Sequence, residues 1–404
     1  MIFLISPLEV LLGRYLITVS YFVIVAGEPS GDILGSELIK ALKKDYPEHR
    51  FEGIAGPEMI KSGCVPWYHV SDLSVMGIFG VLRHLPRILG IRKKLLKKIL
   101  EDPPDAFIGI DYPDFNLGIE KKLKQKNIKT IHMVAPSFWA WREGRIRTIK
   151  KSVDLLLCLF PFEEELLKKH SVNTKFIGHP LAHSIAEEND MLKARRDLGI
   201  DAKTLITIMP GSRKAEINQH LDTLYEAAEL IDQQSNKNNF GKIQFIVPTL
   251  FSEIEEKLKF TKPKLFEKFN FIQDSTKAIS ASDLVITKSG TSTLQAALHK
   301  KPMVVVYKMS NATYYFLKIF NLVKIKYAAL PNILFDEEIV PELIQGNFTA
   351  KNVHQESINW LSNHERKSKL TKKFENMHKE LASKSISQSV SVIIELIGPI
   401  KNTQ

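Results

Sequence analysis

The 404-residue sequence contains only two cysteines, Cys64 and Cys158, far apart in the chain. That excludes a disulfide framework and a cysteine zinc site, and it fits a reducing cytoplasm. Neither G-x-G-x-x-G nor G-x-x-x-x-G-K-[ST] occurs, which argues against the usual dinucleotide and P-loop classes. H-E-x-x-H and G-x-S-x-G are missing too. His179 and His183 stand four apart, but Pro180 intervenes and no third ligand follows, so no metal site is expected. No stretch reaches about 18 uninterrupted apolar residues, the length a spanning helix needs. There is no short internal repeat and no low-complexity tract.

What the chain has in excess is positive charge, 56 Lys and Arg against 45 Asp and Glu, a net +11. Such a balance points to an anionic partner: a membrane surface, nucleic acid or phosphorylated substrates. Hydrophobic content of 44% and charged content of 25% are ordinary for a globular protein. A single core does not comfortably hold a chain of this length, so two domains are expected. Residues 1–20 are apolar but interrupted by Glu9 and Arg14, with no small-residue cleavage site after a basic stretch. Two readings stay open for them: an extension lying on a membrane, or sequence upstream of the true start codon.

Short β-branched strands alternate with amphipathic helices through both halves, the pattern of an α/β chain on parallel sheets. YFVIVAG, from Tyr21, runs into Glu28-Pro29-Ser30-Gly31-Asp32, after which Leu34, Leu38 and Leu42 mark a helix face. This turn is either a ligand loop at the sheet's carboxyl end or a plain helix start capped by Ser30. FEGIAGPEM follows as another strand ending in glycine. Val75 to Leu82, with Met76, Ile78 and Phe79, is apolar and glycine-spaced, and leads into Arg83, Arg87, Arg92, Lys93, Lys94, Lys97 and Lys98. No Asp or Glu falls between Arg83 and Leu100. That fits contact with anionic lipid, and equally a core segment followed by a solvated basic helix face.

Ala106 to Ile110 is a strand ending in DYPDFN. Asp114 is expected to cap a helix beginning near Phe115, which leaves Asp111, at the strand's carboxyl end, as the candidate general base. After a strand at 130–134, Phe138, Trp139 and Trp141 form an acyl-chain or sugar platform, or else pack beneath a loop.

Residues 186–201 are polar and charged and read as a linker. Beyond them LITIMPGSRKAEINQHL, Leu205 to Leu221, is a strand, a Pro-Gly turn and a helix. Ile217, Leu221, Leu224, Ala228 and Ile231 give that helix one buried face. Free N–H groups at its start favour a phosphate, with Gly211 and Ser212 in the turn and the Arg213 guanidinium alongside. An ordinary turn with a solvated arginine is the competing reading. A second turn of the same kind, Lys288-Ser289-Gly290-Thr291 after DLVIT, favours the first. Strand MVVVY, the stretch YAALPNIL and basic polar helices from about Glu365 complete the chain.

Taken in order, GEPSGD, AGPEM, VMGIFGVL, GIDYPDFN, VAPSFWAWR, FIGHPLA, MPGSR, TKSGTSTLQ and LPNIL resemble the motifs of the lipid-A-disaccharide synthase family, from about Tyr21 to Ile344. The resemblance implies two facing Rossmann-like domains of the GT-B type with a cleft between them. An acceptor-side domain would span 21–185 and a UDP-donor-side domain 186–364. Helices at 365–404 would pack back or be exchanged between the subunits of a homodimer. The implied activity is an inverting glycosyl transfer in lipid A biosynthesis. It joins UDP-2,3-diacylglucosamine to 2,3-diacylglucosamine 1-phosphate (lipid X), giving the disaccharide 1-phosphate and UDP. No metal or other cofactor is implied. The expected place is the cytoplasmic face of the inner membrane of a Gram-negative-type bacterium, held peripherally on its anionic surface.

By the same resemblance Asp111 would deprotonate the acceptor's 6-hydroxyl, Arg213 would neutralise the UDP diphosphate, and Asn332 would position donor or acceptor. Gly211, Ser212, Ser289, Gly290, Thr291 and Gln295 would bind the donor. Glu28, Ser30 and Gly31 would form the amino-terminal site loop, and Val75, Met76, Ile78, Phe79 and Leu82 would touch lipid. Three positions depart from the family. Gln295 stands where a glutamate would accept two hydrogen bonds from the ribose; it accepts one and donates one, which implies weaker UDP binding. Gly80 replaces an acidic residue. Pro29 replaces an alanine, which the turn tolerates.

An inverting transfer needs a base on one face of the anomeric carbon and stabilisation of the departing UDP on the other. Closure of the cleft would unite the two and exclude water. The competing readings are another UDP-sugar transferase or epimerase of GT-B build, and a non-catalytic paralogue that binds acyl-sugars or UDP. Nucleic-acid binding is disfavoured, because the basic residues lie beside apolar surface rather than among interleaved aromatics.

Overall fold

A computed structural model describes residues 19–73, 78–136, 144–234, 240–310, 314 and 326–398, with backbone alone for 78–84. Val75, Met76, Phe138, Trp139, Trp141 and residues 1–18 lie outside these, as do the side chains of Ile78, Phe79 and Leu82. The described chain forms two compact units, one up to Gly178 and again from Lys384, the other from His179 to Ser383.

In the first unit β1 (Tyr21–Ala26), β2 (Arg50–Ala55), β3 (Cys64–His69), β4 (Ala106–Ile110), β5 (Lys129–Met133), β6 (Leu155–Cys158) and β7 (Thr174–Phe176) form one parallel sheet in the order 3-2-1-4-5-6-7. In the second, β8 (Thr204–Met209), β9 (Ile243–Pro248), β10 (Phe269–Ile272), β11 (Leu284–Lys288), β12 (Met303–Tyr307) and β13 (Glu342–Ile344) form another, in the order 10-9-8-11-12-13. Each unit is therefore doubly wound. Strand order reverses between β1 and β4 and again between β8 and β11, the places where open α/β sheets bind ligands beyond their carboxyl ends.

The inner strands run apolar without alternation because helices cover both faces of a parallel sheet. Val23, Val25 and Phe107 are fully buried, and the helix Ile78–Glu101 lays Ile88, Ile91, Leu95 and Ile99 against them. That is one helical stripe. Lys93, Lys94 and Lys97 lie on its exposed side, with Leu85 and Leu89 also exposed. No helix among the described residues is long and apolar enough to cross a membrane.

Residues 186–201 differ from the expected linker. They contain a helix, Met191–Asp197, capped by Asp190 Oδ1, which accepts from the Lys193 N–H at 2.8 Å. Arg195 donates to Asp283 at 2.6 Å and to the Ala281 carbonyl at 2.9 Å, and Ala194 joins the second unit's core. The polar composition reflects pairing inside the unit rather than solvation. At the other end, helix His364–Ala382 stays with the second unit, where His378 Nε2 donates to the Ala182 carbonyl at 2.8 Å. The chain then returns to the first unit, and Ser389–Ile397 meets helix Pro29–Asp45.

Candidate active site

The first unit's reversal point is built by the turns after β1 and β4. Helix Pro29–Asp45 opens with Pro29 in its first position and Glu28 at the N-cap in extended backbone. No side chain caps this end, so Ser30 is not the cap; it sits exposed in the first turn, with Gly31 buried behind it. Asp32 has a different task. Its buried carboxylate accepts from the N–H groups of Gly56, Glu58 and Met59 at 2.8, 2.9 and 3.1 Å, tying this turn to the one after β2.

After β4 the backbone takes two successive left-handed residues, Asp111 at φ 49° and Tyr112 at φ 48°. Such non-glycine positions cost on the order of 1–3 kcal/mol each and persist only where neighbours hold them. Here the Asp111 N–H donates to the Met133 carbonyl at 2.8 Å, and Asn116 Nδ2 donates to the Asp111 carbonyl at 2.8 Å. The Tyr112 carbonyl accepts from Phe115 and Asn116 at 3.0 and 3.1 Å. The Asp111 side chain is half-buried, and no described residue hydrogen-bonds or ion-pairs its carboxylate. Asp114 is not the helix cap that was expected. The helix begins earlier, at Pro113, whose fixed φ suits a first helical position. Asp114 is left exposed, 3.2 Å from Arg145.

The second unit's reversal point carries cations. Arg213 ends the turn after β8, its carbonyl accepting from the Ile217 N–H at 3.0 Å as helix Lys214–Gln234 begins. Its side chain is 75% exposed, and Nη1 reaches Glu216 Oε1 at 3.1 Å. Lys288 Nζ, at the end of β11, approaches the same oxygen at 3.1 Å. Burial pulls the Glu216 carboxyl up, but Lys288 and Arg213 together hold it below the ordinary carboxylate range. Two cations thus share one carboxylate, which leaves the turn net positive. Gly211 and Ser212 lie in this turn, half-buried and exposed respectively.

Beyond Lys288, Ser289 leads to Gly290 at φ 149°, the N-cap of helix Thr291–Leu298, and no side chain caps that end. A helix start of this kind presents N–H groups to an anion. Thr291 is exposed, and Gln295 is half-buried one turn on with no side-chain partner among the described residues. Ser289 Oγ donates to the Ala328 carbonyl at 2.7 Å, fastening the turn to the segment that carries Asn332.

Asn332 is wholly buried and fully used. Nδ2 donates to the Val340 carbonyl and to Glu342 Oε1, both at 2.8 Å; Oδ1 accepts from Ile339 and Val340 at 2.9 and 3.0 Å. Glu342 in turn accepts from the Ala328 and Ala329 N–H groups at 2.8 Å. Asn116, Glu216, Lys288 and Glu342 were not singled out from the sequence. Asn116, Glu216 and Lys288 lie inside stretches that were, whereas Glu342 gave no local signal.

Two doubly wound units with turns of this kind at each reversal point have the fold of glycosyltransferases and sugar-nucleotide epimerases. A glycotransferase of kitacinnamycin matches with a TM-score of 0.59 at 14% identity, over 94% of this chain and 100% of that one. The UDP-GlcNAc 2-epimerase of Neisseria meningitidis, bound to UDP-GlcNAc, matches with 0.57 at 13%, over 93% and 98%. At such identities the likeness is one of fold. Family membership comes from sequence: residues 22–395 match the lipid-A-disaccharide synthetase family. The lipid-A-disaccharide synthase of Pseudoalteromonas translucida (strain TAC 125) is 43% identical over 382 residues, 93% of this chain and 97% of that one. The chain belongs to the lipid-A-disaccharide synthase family, and is a glycosyltransferase of lipid A biosynthesis.

Proposed function

We propose that the enzyme joins UDP-2,3-diacylglucosamine to 2,3-diacylglucosamine 1-phosphate with inversion, and that each unit supplies one half of the chemistry. The observation that carries this is the contrast between the two reversal points: an unengaged carboxylate on a strained turn in one, and paired cations at a helix start in the other. Asp111 takes the proton from the acceptor's 6-hydroxyl as its oxygen attacks C1 of the donor. The bond from C1 to the UDP oxygen breaks on the opposite face, and its electron pair leaves with the diphosphate. Arg213, Lys288 and the N–H groups around Gly290 and Thr291 stabilise that charge. Gly211 and Ser212 shape the phosphate turn, and Gln295 meets the ribose with one acceptor and one donor. Glu28, Ser30 and Gly31 border the acceptor beside Asp111. Asn332 acts through the backbone it holds, since all four of its hydrogen-bonding positions are taken within the fold.

A peripheral seat on an anionic membrane belongs to the same reading. It is supported by Leu85 and Leu89 exposed beside Arg87, Lys93, Lys94 and Lys97 on helix Ile78–Glu101. A homodimer is proposed with it on the family resemblance. The test is incubation of purified protein with both acylated sugars. Disaccharide 1-phosphate and UDP are expected, with turnover lost and UDP binding kept in Asp111→Asn. UDP binding without product would favour the non-catalytic reading, and an epimerised UDP-sugar would overturn the transfer.

A further inference from the structure

Behind the Asp111 turn lies a group of buried polar side chains that this chemistry does not use. Asn116, Glu120 and His132 are each 0% exposed. Asn116 and Glu120 stand one turn apart on helix Pro113–Lys124, and His132 lies on β5, in register with Gly109 of β4. Gly109 makes the room they occupy. A Cβ there would lie 2.3 Å from Glu120 Oε1 and 3.0 Å from Asn116 Cγ, so both side chains crowd the same point.

The hydrogen bonds give this group a direction. Asn116 Nδ2 donates to the Asp111 carbonyl at 2.8 Å and also faces the Ile110 carbonyl at 3.4 Å. Both neighbours are acceptors, which fixes the amide nitrogen on that side and turns Oδ1 away. His132 Nδ1 meets Glu120 Oε1 at 2.7 Å. Among the described residues, Asn116 Oδ1 and Glu120 Oε2 are then left without partners, as is His132 Nε2. Two buried acceptor oxygens with no hydrogen to share are costly. A proton on Oε2 turns that oxygen from an acceptor into a donor, and Asn116 Oδ1, one helical turn away, is an acceptor in need of one. His132 as the Nδ1–H tautomer then donates to Oε1 and leaves one imidazole lone pair unfilled.

We propose that Glu120 is a positioning residue which, as a neutral carboxylic acid, donates from Oε2 to Asn116 Oδ1. This locks the amide that holds the Asp111 carbonyl and so keeps the left-handed turn presenting the base. The proposal rests on the reading of Asp111 as that base. Burial pushes the Glu120 carboxyl up, against the pull of His132, which agrees with an acid kept neutral in order to donate. The rival arrangement, a buried carboxylate against an imidazolium, leaves both Asn116 Oδ1 and Glu120 Oε2 without a hydrogen to bond.

The side-chain amide of Glu120→Gln reproduces the proposed donor, whereas Glu120→Ala removes it. Glu120→Gln is expected to keep kcat within about twofold of the parent enzyme. Glu120→Ala is expected to lose roughly ten- to a hundredfold in kcat, with KM for both sugars and UDP affinity unchanged. Infrared spectroscopy of the parent enzyme should show a buried carboxylic-acid carbonyl band that Glu120→Gln lacks. Loss of activity in Glu120→Gln matching that of Glu120→Ala, or absence of the band, would overturn the proposal. If Glu120→Ala does not fold, the Gln variant and the infrared band still decide. Full turnover by Asp111→Asn would remove the base reading instead, while the band would still report on Glu120.

Discussion

Gly27 and Tyr112 contend for one small space where β1 and β4 end: a Cβ on Gly27 would stand 2.5 Å from Tyr112 Cβ. The turns after β1 and β4 are therefore one assembly. Tyr112 is itself left-handed, and burial first, then Glu28 and Asp114, pushes its hydroxyl above the ordinary tyrosine range. What moves Tyr112 moves Asp111.

Gly27→Ala is accordingly expected to damage both stability and turnover. Overpacking of this kind costs about 1–3 kcal/mol, and displacement of the base lowers kcat about tenfold or more. Adding Tyr112→Gly removes the opposing Cβ and suits a positive φ, so the double variant should melt closer to the parent than Gly27→Ala does. Thermal denaturation beside steady-state rates checks both. No recovery in the double variant would show that the clash is not the cause.

Lys288 is expected to act on the nucleotide, because it shares its carboxylate with Arg213 and lies beside an uncapped helix start. Lys288→Met should weaken UDP binding by about tenfold, the scale of one charge-assisted contact. The loss should narrow as salt rises. Calorimetric titration of UDP at two ionic strengths measures it. Unchanged affinity would reduce Lys288 to a counter-ion for Glu216.

The sheets were legible in the sequence because buried parallel strands are continuous apolar runs, as YFVIVA and AFIGI are. Asp111 stood out in the sequence because a carboxylate ending such a strand has no local structural task, and its role as base is the reading proposed above. What escaped was set by distant pairing. Arg195 finds Asp283 88 residues away, so a charged stretch read as a linker is packed. Asp114 lost the cap because Pro113 starts the helix before it, a choice that propensity alone did not settle. Lys288 looked like any turn lysine until Glu216, 72 residues earlier, came beside it. The segment at 75–82 that was expected to touch lipid, and the tryptophans at 139 and 141, fall outside what the structure describes of side chains.

Asn332 yields a prediction opposite in kind to that for Arg213. Its side chain joins helix Leu330–Phe335 to residues 339–342, and Glu342 and Ser289 carry that restraint to the turn after β11. Asn332→Ala leaves buried N–H and carbonyl groups unpaired and should cost about 2–5 kcal/mol of stability. Asn332→Asp keeps the two acceptor contacts but sets a carboxylate against Glu342, and should also destabilise. Arg213→Ala, at an exposed position, should leave the melting temperature nearly unchanged while UDP binding falls. If Asn332→Ala keeps full stability and loses only activity, the side chain meets substrate directly and the structural role is wrong.

Acid should destabilise the second unit before its carboxylates are protonated. Burial, with His183 beside it, lowers His179 to about 4; burial, with Lys301, Lys300 and His378, lowers His299 to about 4. Above the ordinary histidine value near 6.5 both are neutral whether folded or unfolded, so their full contribution is present. As pH falls below that, the unfolded chain takes up protons that the folded chain refuses, and stability drops until about pH 4. Each group accounts for roughly 3 kcal/mol across that window. His49, His220 and His354 are lowered in the same direction, and Glu120 opposes them, so the decisive quantity is a difference between proteins. Denaturant melts of the parent and His299→Gln at pH 7, 6 and 5 supply it. The variant should be the less pH-sensitive by about one proton's linkage at pH 5. Equal slopes would mean that His299 is protonated in the folded chain.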